Sequence, residues 1–192
     1  MPLTMAVSPS TISSAKWRGP ETCADSPQRV SFPISDYGDP IVQIVNRVDD
    51  LALRYGNSPC VLTFARSLIR DIQTNNYRRE HFNRIANIVL EKTVYVADPR
   101  GVEYVRSPVR MIMDINKQGY AQGDCDDCVL LANSLYNALG FDTRVVAVTL
   151  KGSDYPNHVL SQIKFAGAWV WFDPCNKSNP RQVWSGNMIF SK

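Results

Sequence analysis

The sequence contains no apolar stretch approaching the roughly 18 residues of a membrane span. It has no long lysine or arginine run either: 21 basic residues against 18 acidic ones leave a net charge of +3. That balance is mildly basic and ordinary for a soluble chain, and a nucleic-acid surface is not indicated. The start, Met1 to Pro9, lacks the charged-then-apolar order of a signal peptide. The expectation is therefore a protein made and kept in the cytoplasm, or packaged there. Histidine is scarce, with only His81 and His158. Cysteine is odd in number: Cys23, Cys60, Cys125, Cys128 and Cys175. An odd set without a signal peptide argues against a disulfide framework, so free thiols are expected, most of them acting as small buried apolar side chains.

With 192 residues, 44% of them hydrophobic, the chain has enough apolar surface for one domain with a sizeable core and an appendage. The appendage is residues 1–38, an extended Pro/Ser-rich arm carrying Pro2, Pro9, Pro20, Pro27 and Pro33. It lacks the periodicity of helix or strand and is read as a strap on its own domain or on neighbouring chains, with Ile12, Trp17, Val30 and Phe32 as anchors. The domain is residues 39–192. Three helical patterns open it. The first runs from Ile41 through Val45, Val48 and Ala52 to a stop at Gly56. The second is capped by Ser58-Pro59 and striped by Val61, Phe64, Ala65 and Leu68, and the third runs from Arg78 through Phe82, Ile85 and Val89. His81 falls in the third as a helix-surface residue. Thr93 to Ala97 reads as a strand, and residues 102–122 read as irregular with short helical pieces.

The second half of the domain carries the chemistry. A helix is expected from Cys125 to Leu139, striped by Cys128, Leu131, Ala132 and Leu135 and stopped by Gly140. A strand from Thr143 to Leu150 follows. Then come a polar loop and a hairpin of His158 to Phe165 and Ala168 to Phe172, turned by Ala166-Gly167. Cys125 thus sits in a first helical turn, where unpaired N–H groups and the positive dipole end favour a thiolate and can bind an oxyanion. Asp124, Asp126 and Asp127 oppose this by raising the thiol pKa, so a cationic partner is needed. If Phe165 lies opposite Ala168, His158 opens one strand of the hairpin and Asp173 lies diagonal to it at the end of the other. There a carboxylate can orient the imidazole.

Gly123-Asp124-Cys125-Asp126-Asp127, Ala138-Leu139-Gly140, Arg144-Val145-Val146, Asn157-His158-Val159 and Trp169-Val170-Trp171-Phe172-Asp173-Pro174, in that order, resemble the core of the transglutaminase-like superfamily. The flavour is closest to stand-alone members encoded by tailed phages. The resemblance implies an α+β fold of papain-like type, with helices packed on a small antiparallel sheet. It also implies a thiol acyl-transfer enzyme, peptidase, amidase or transamidase, acting on a protein or peptide substrate. Cys125 would be the nucleophile, His158 the general base and acid, and Asp173 its orienter; Tyr95, Tyr120 and Gln122 are candidates for a second oxyanion donor. No metal or cofactor is implied. In a phage setting the arm would grip other virion or assembly proteins. Cys128 and Cys175 depart from the family's usual residue types, which leaves room for a thiol-based inhibition or a metal.

Two other readings compete. Cys125, Cys128, His158 and Cys175 have the count of a Cys₃His zinc site, although an apolar helix follows the cysteine pair directly where a knuckle turn is expected. The chain is otherwise a virion structural or assembly protein that uses the fold as a building block, with activity secondary or lost.

Overall fold

The computed structural model describes residue 23 and residues 29–30, 39–73, 75–98, 104–175 and 188–191. The architecture is α+β. In chain order the elements are β1 (Arg29–Val30), α1 (Pro40–Gly56), α2 (Pro59–Ile69), α3 (Tyr77–Lys92), β2 (Thr93–Tyr95), β3 (Val105–Arg106) and α4 (Pro108–Gln118). Then follow β4 (Ala121–Gly123), α5 (Cys125–Ala138), β5 (Thr143–Val148), β6 (His158–Phe165), β7 (Ala168–Phe172) and β8 (Ile189–Phe190). Three helices start by one device: a side-chain oxygen accepts a first-turn N–H, and a proline follows. Asp39 accepts from Ile41 at 2.9 Å, Ser58 from Val61 at 3.3 Å and Ser107 from Arg110 at 3.2 Å.

α5 is the pivot. One stripe was expected to face the core; both faces do. Val129 and Leu130 pack toward α1 and β5, beside Val45, Val48 and Val145. Leu131, Ala132, Leu135 and Tyr136 pack toward α2, α3 and α4, beside Phe64, Phe82 and Ile112. A helix apolar on more than one face cannot lie at a surface, and α5 is accordingly enclosed between the helices and the sheet. Tyr136 brings a hydroxyl into this core, and it donates to the Phe82 carbonyl at 3.0 Å.

The main sheet has the order β7-β6-β5-β8 and is antiparallel throughout. The hairpin register is the expected one, Phe165 opposite Ala168 and Ser161 opposite Phe172. Ala166 and Gly167 supply it, with φ of 50° and 83°, the paired positive values of a tight turn whose twist matches the strands. A second, two-stranded sheet pairs β2 with β4 in parallel, Tyr95 opposite Gly123. Its β4 begins inside the segment, residues 102–122, read as irregular with short helical pieces. So does α4, an 11-residue helix ended by Gly119 at φ 92°.

The expectation of free thiols is corrected at one pair. Cys23 and Cys60 form a disulfide across 37 residues. Cys60 opens α2 within the core, and Cys23, itself buried, meets it there. β1 pairs antiparallel with β3, Val30 opposite Val105. These two points of residues 1–38 lie on the chain's own domain. Ile12, Trp17 and Phe32 fall outside the described residues. Replacing Cys23 by serine is expected to cost about 3–4 kcal/mol through lost loop closure, a fall of roughly 10 °C in melting temperature. An unchanged melting temperature under non-reducing conditions would contradict the bond.

Candidate active site

Gly123 ends β4, and the chain turns at once into α5, so Cys125 occupies the first helical position. The turn is built around Asp127. Its carboxylate accepts the Asp124 N–H at 3.3 Å and the Arg106 N–H, and forms an ion pair with the Arg106 guanidinium at 3.9 Å. Arg106 also donates through Nη1 to the Gln122 carbonyl at 2.9 Å, so one arginine and one buried aspartate lock β3, β4 and the start of α5 together. Burial, aided by the neighbouring Asp124 charge and opposed by its hydrogen bonds, pushes the Asp127 carboxyl up to about 7. This role was not read from the sequence. An aspartate at the third helical position after an N-cap aspartate is the signal that carries it.

His158 is the first residue of β6, opposite Val148 on β5. Asp173 lies just past β7. The His158 Nε2 and Asp173 Oδ2 atoms are 2.9 Å apart, with the two side chains only 11% and 8% exposed. The second carboxylate oxygen accepts the Cys175 N–H at 3.1 Å, which fixes the carboxylate plane. A carboxylate on Nε2 selects the tautomer with its proton there and leaves Nδ1 as the basic nitrogen. Cys125 packs in one apolar cluster with Val159, the residue after His158 in β6, and the Val159 backbone N–H faces the Cys125 sulfur.

The electrostatics of Cys125 differ from the helix-terminus expectation. Burial pushes the thiol well up, and the Asp124 and Asp126 carboxylates add to the rise; only the Val159 N–H opposes it. Desolvation of a sulfur anion outweighs the dipole here, so Cys125 rests as a thiol. Alkylation by iodoacetamide is accordingly expected to be slow at neutral pH and still rising above pH 9.0, the ordinary thiol value. A rate that levels off below that pH would contradict a sulfur that rests protonated.

Of the three oxyanion candidates, Tyr95 is the one whose phenol feels Cys125. Burial raises its pKa first, and charge on Cys125 adds to the rise. Tyr120 and Gln122 take part here through their carbonyls, which accept from Gln118 Nε2 at 3.1 Å and from Arg106. His81 lies on α3, edge-on to Tyr77 with ring centroids 5.6 Å apart, remote in the chain from this site. Among the described residues, the one group of three candidate ligand atoms within 4.8 Å of one another is Asp124, Asp126 and Asp127. Cys125, Cys128, His158 and Cys175 do not converge in that way, which removes the geometric basis of the Cys₃His reading. No helix among the described residues is long and apolar enough to cross a membrane.

The chain is similar to two solved structures. One is a candidate cysteine protease from Cytophaga hutchinsonii, with 15% identity and a TM-score of 0.46, covering 84% of this chain and 56% of that one. The other is a candidate protease from Parabacteroides distasonis, with 17% identity and a TM-score of 0.48, covering 68% of this chain and 26% of that one. The chain thus spans about half and about a quarter of their lengths. No curated protein matches it in sequence. The sequence profile of the transglutaminase-like superfamily, however, matches residues 64–174, more than half of the chain and the whole of the segment from α3 to Asp173. The chain belongs to the transglutaminase-like superfamily.

Proposed function

We propose that the chain is a thiol acyl-transfer enzyme in which Cys125 attacks the carbonyl carbon of an amide in a protein or peptide. The observation that carries this reading is the 2.9 Å pairing of His158 Nε2 with Asp173 at the strand ends that abut the start of α5. Because Cys125 rests as a thiol, His158 Nδ1 takes its proton as the C–S bond forms, with no standing ion pair beforehand. Asp173 stabilises the imidazolium that results. The oxyanion forms beside the N–H groups that open α5, with the Tyr95 hydroxyl as a second donor. The imidazolium then protonates the departing amine, leaving a thioester on Cys125. Attack by water completes hydrolysis, and attack by a primary amine completes transamidation.

The test is incubation of the full chain with an amide-bearing peptide, with and without a primary amine, followed by mass spectrometry of peptide and protein. A cleaved, deamidated or amine-conjugated product, or a thioester adduct on Cys125, supports the reading. Peptide and protein both unchanged over a broad panel of amide substrates would sink it.

A further inference from the structure

Two thiols beside the candidate centre take no part in the proposed chemistry. Cys128 lies one turn along α5 from Cys125 and is 1% exposed. Cys175 lies in the turn that leaves Asp173 and is partly exposed. Both converge on one acceptor: the Cys175 thiol donates to the Asp124 carbonyl at 3.4 Å, and the Cys128 N–H donates to the same carbonyl at 3.2 Å. The Cys175 sulfur thus rests against the first turn of α5, the turn that carries Cys128, and the two thiols influence each other's ionisation. The Cys175 amide in turn donates to Asp173 Oδ1 at 3.1 Å, the carboxylate whose other oxygen holds His158. A continuous line of contacts therefore runs from the first turn of α5, where Cys128 sits in the buried helix, through Cys175 and Asp173 to the imidazole.

We propose that Cys128 and Cys175 are a covalent modification site, a dithiol that a peroxide converts to a disulfide, drawing the Asp173 turn onto α5 and displacing His158 while Cys125 stays a free thiol. The loss of activity that would follow rests on the acyl-transfer reading; the cross-link and the movement of His158 do not. The partly exposed Cys175 meets the oxidant. Its sulfur takes one peroxide oxygen, the O–O bond breaks, and the other oxygen leaves as water with the thiol proton. Cys128 then displaces the hydroxyl from the Cys175 sulfenic acid, forming the S–S bond and releasing a second water with its own proton. Both sulfurs are oxidised and both peroxide oxygens are reduced.

A disulfide holds its sulfurs about 2.05 Å apart, well inside hydrogen-bonding contact. Closing it must move one partner, and the surface turn yields before an enclosed helix does. The influence of Cys128, with burial, pushes the Cys175 thiol well up. Cys175 is therefore slow to ionise at neutral pH, and the cross-link forms faster as the pH rises. Cys23–Cys60, already bonded, serves as an internal reference.

The experiment treats the full chain with graded hydrogen peroxide, then digests it before aspartates. Asp126 and Asp127 separate Cys125 from Cys128, so the cross-linked peptides identify the partners. A Cys128–Cys175 peptide is expected, formed also in Cys125→Ser and absent from both Cys128→Ala and Cys175→Ser. Of the two imidazole proton signals, that of His158 should shift and that of His81 should not. Acyl-transfer activity should fall on the order of 100-fold, as for a reacting group misplaced by about an ångström, and return with mild reductant. Cross-links that engage Cys125, oxidation of unlinked Cys175 to sulfinic acid, or a Cys128–Cys175 bond that leaves the His158 signal unmoved would each overturn the proposal.

Discussion

Replacing Cys125 by alanine is expected to lower acyl transfer on the order of 10⁴-fold or more, with a melting temperature close to that of the parent. In the proposed chemistry the thiol becomes the acyl carrier, so nothing left in the site could form the thioester. The stability effect is small because one half-buried sulfur is lost at a helix start. Its partner, the Val159 N–H, is left without an acceptor at a cost of about 1 kcal/mol. Asp173→Asn makes an instructive contrast. An amide at that position can hold the wrong tautomer and carries no charge to stabilise the imidazolium, so a loss approaching about 10⁴-fold is expected, with the thiol still able to form the thioester slowly. Single-turnover mass spectrometry, with a melting curve beside it, separates the two. A Cys125→Ala protein that still turns over peptide would remove Cys125 from its role.

The second large effect is at Gly123. A methyl group there would lie 2.6 Å from both the Asp127 Cβ and Oδ2 atoms, closer than real contacts allow. The obstruction is Cβ, fixed to the backbone of an enclosed helix, so no side-chain rotation relieves it. Gly123→Ala must therefore push β4 from α5 or drive Asp127 off its bonds to the Asp124 and Arg106 amides. Overpacking of 1–3 kcal/mol together with one or more buried hydrogen bonds puts the cost at about 3–5 kcal/mol. Because the same turn positions Cys125, activity should fall faster than stability. Chemical denaturation with an activity assay on the folded fraction measures both, and a stability change below about 1 kcal/mol would show that the turn yields more freely than its contacts imply.

The parts of this molecule legible in its sequence are those encoded locally. Ser58-Pro59 announces α2, Ala166-Gly167 fixes the β6–β7 register, and the apolar pattern after Cys125 announces α5. From that register the closeness of His158 to Asp173 follows, because strand pairing converts a turn type into a list of neighbours. What stays hidden depends on partners far away in the chain. Cys23 gives no local sign that it meets Cys60. β2 and β4 are three-residue strands joined in parallel across a whole helix, and β8 is two residues long. The Ser107-Pro108 cap and Gly119 were present as signals for α4, yet the polar residues between them masked its apolar stripe of Val109, Ile112 and Ile115. The state of Cys125 was hidden for a different reason. Helix dipole and desolvation act on the sulfur with opposite signs, and only the depth of burial decides between them.

The buried carboxylates of the fold make it a store of protons. Asp127, pushed to about 7, and Asp49, held by burial at about 6 where α1 meets β5 and β8, both release their protons in the unfolded chain near the ordinary value of 3.8. Between pH 4 and 7 the folded protein therefore binds more protons than the unfolded one, and unfolding in that window discharges them. The contribution of these two groups to stability is complete below the unfolded value and is lost as the pH climbs through 6 and 7. In that respect the domain is built to be most robust in mildly acid surroundings, and its denaturation midpoint should move downward as the buffer is made more alkaline.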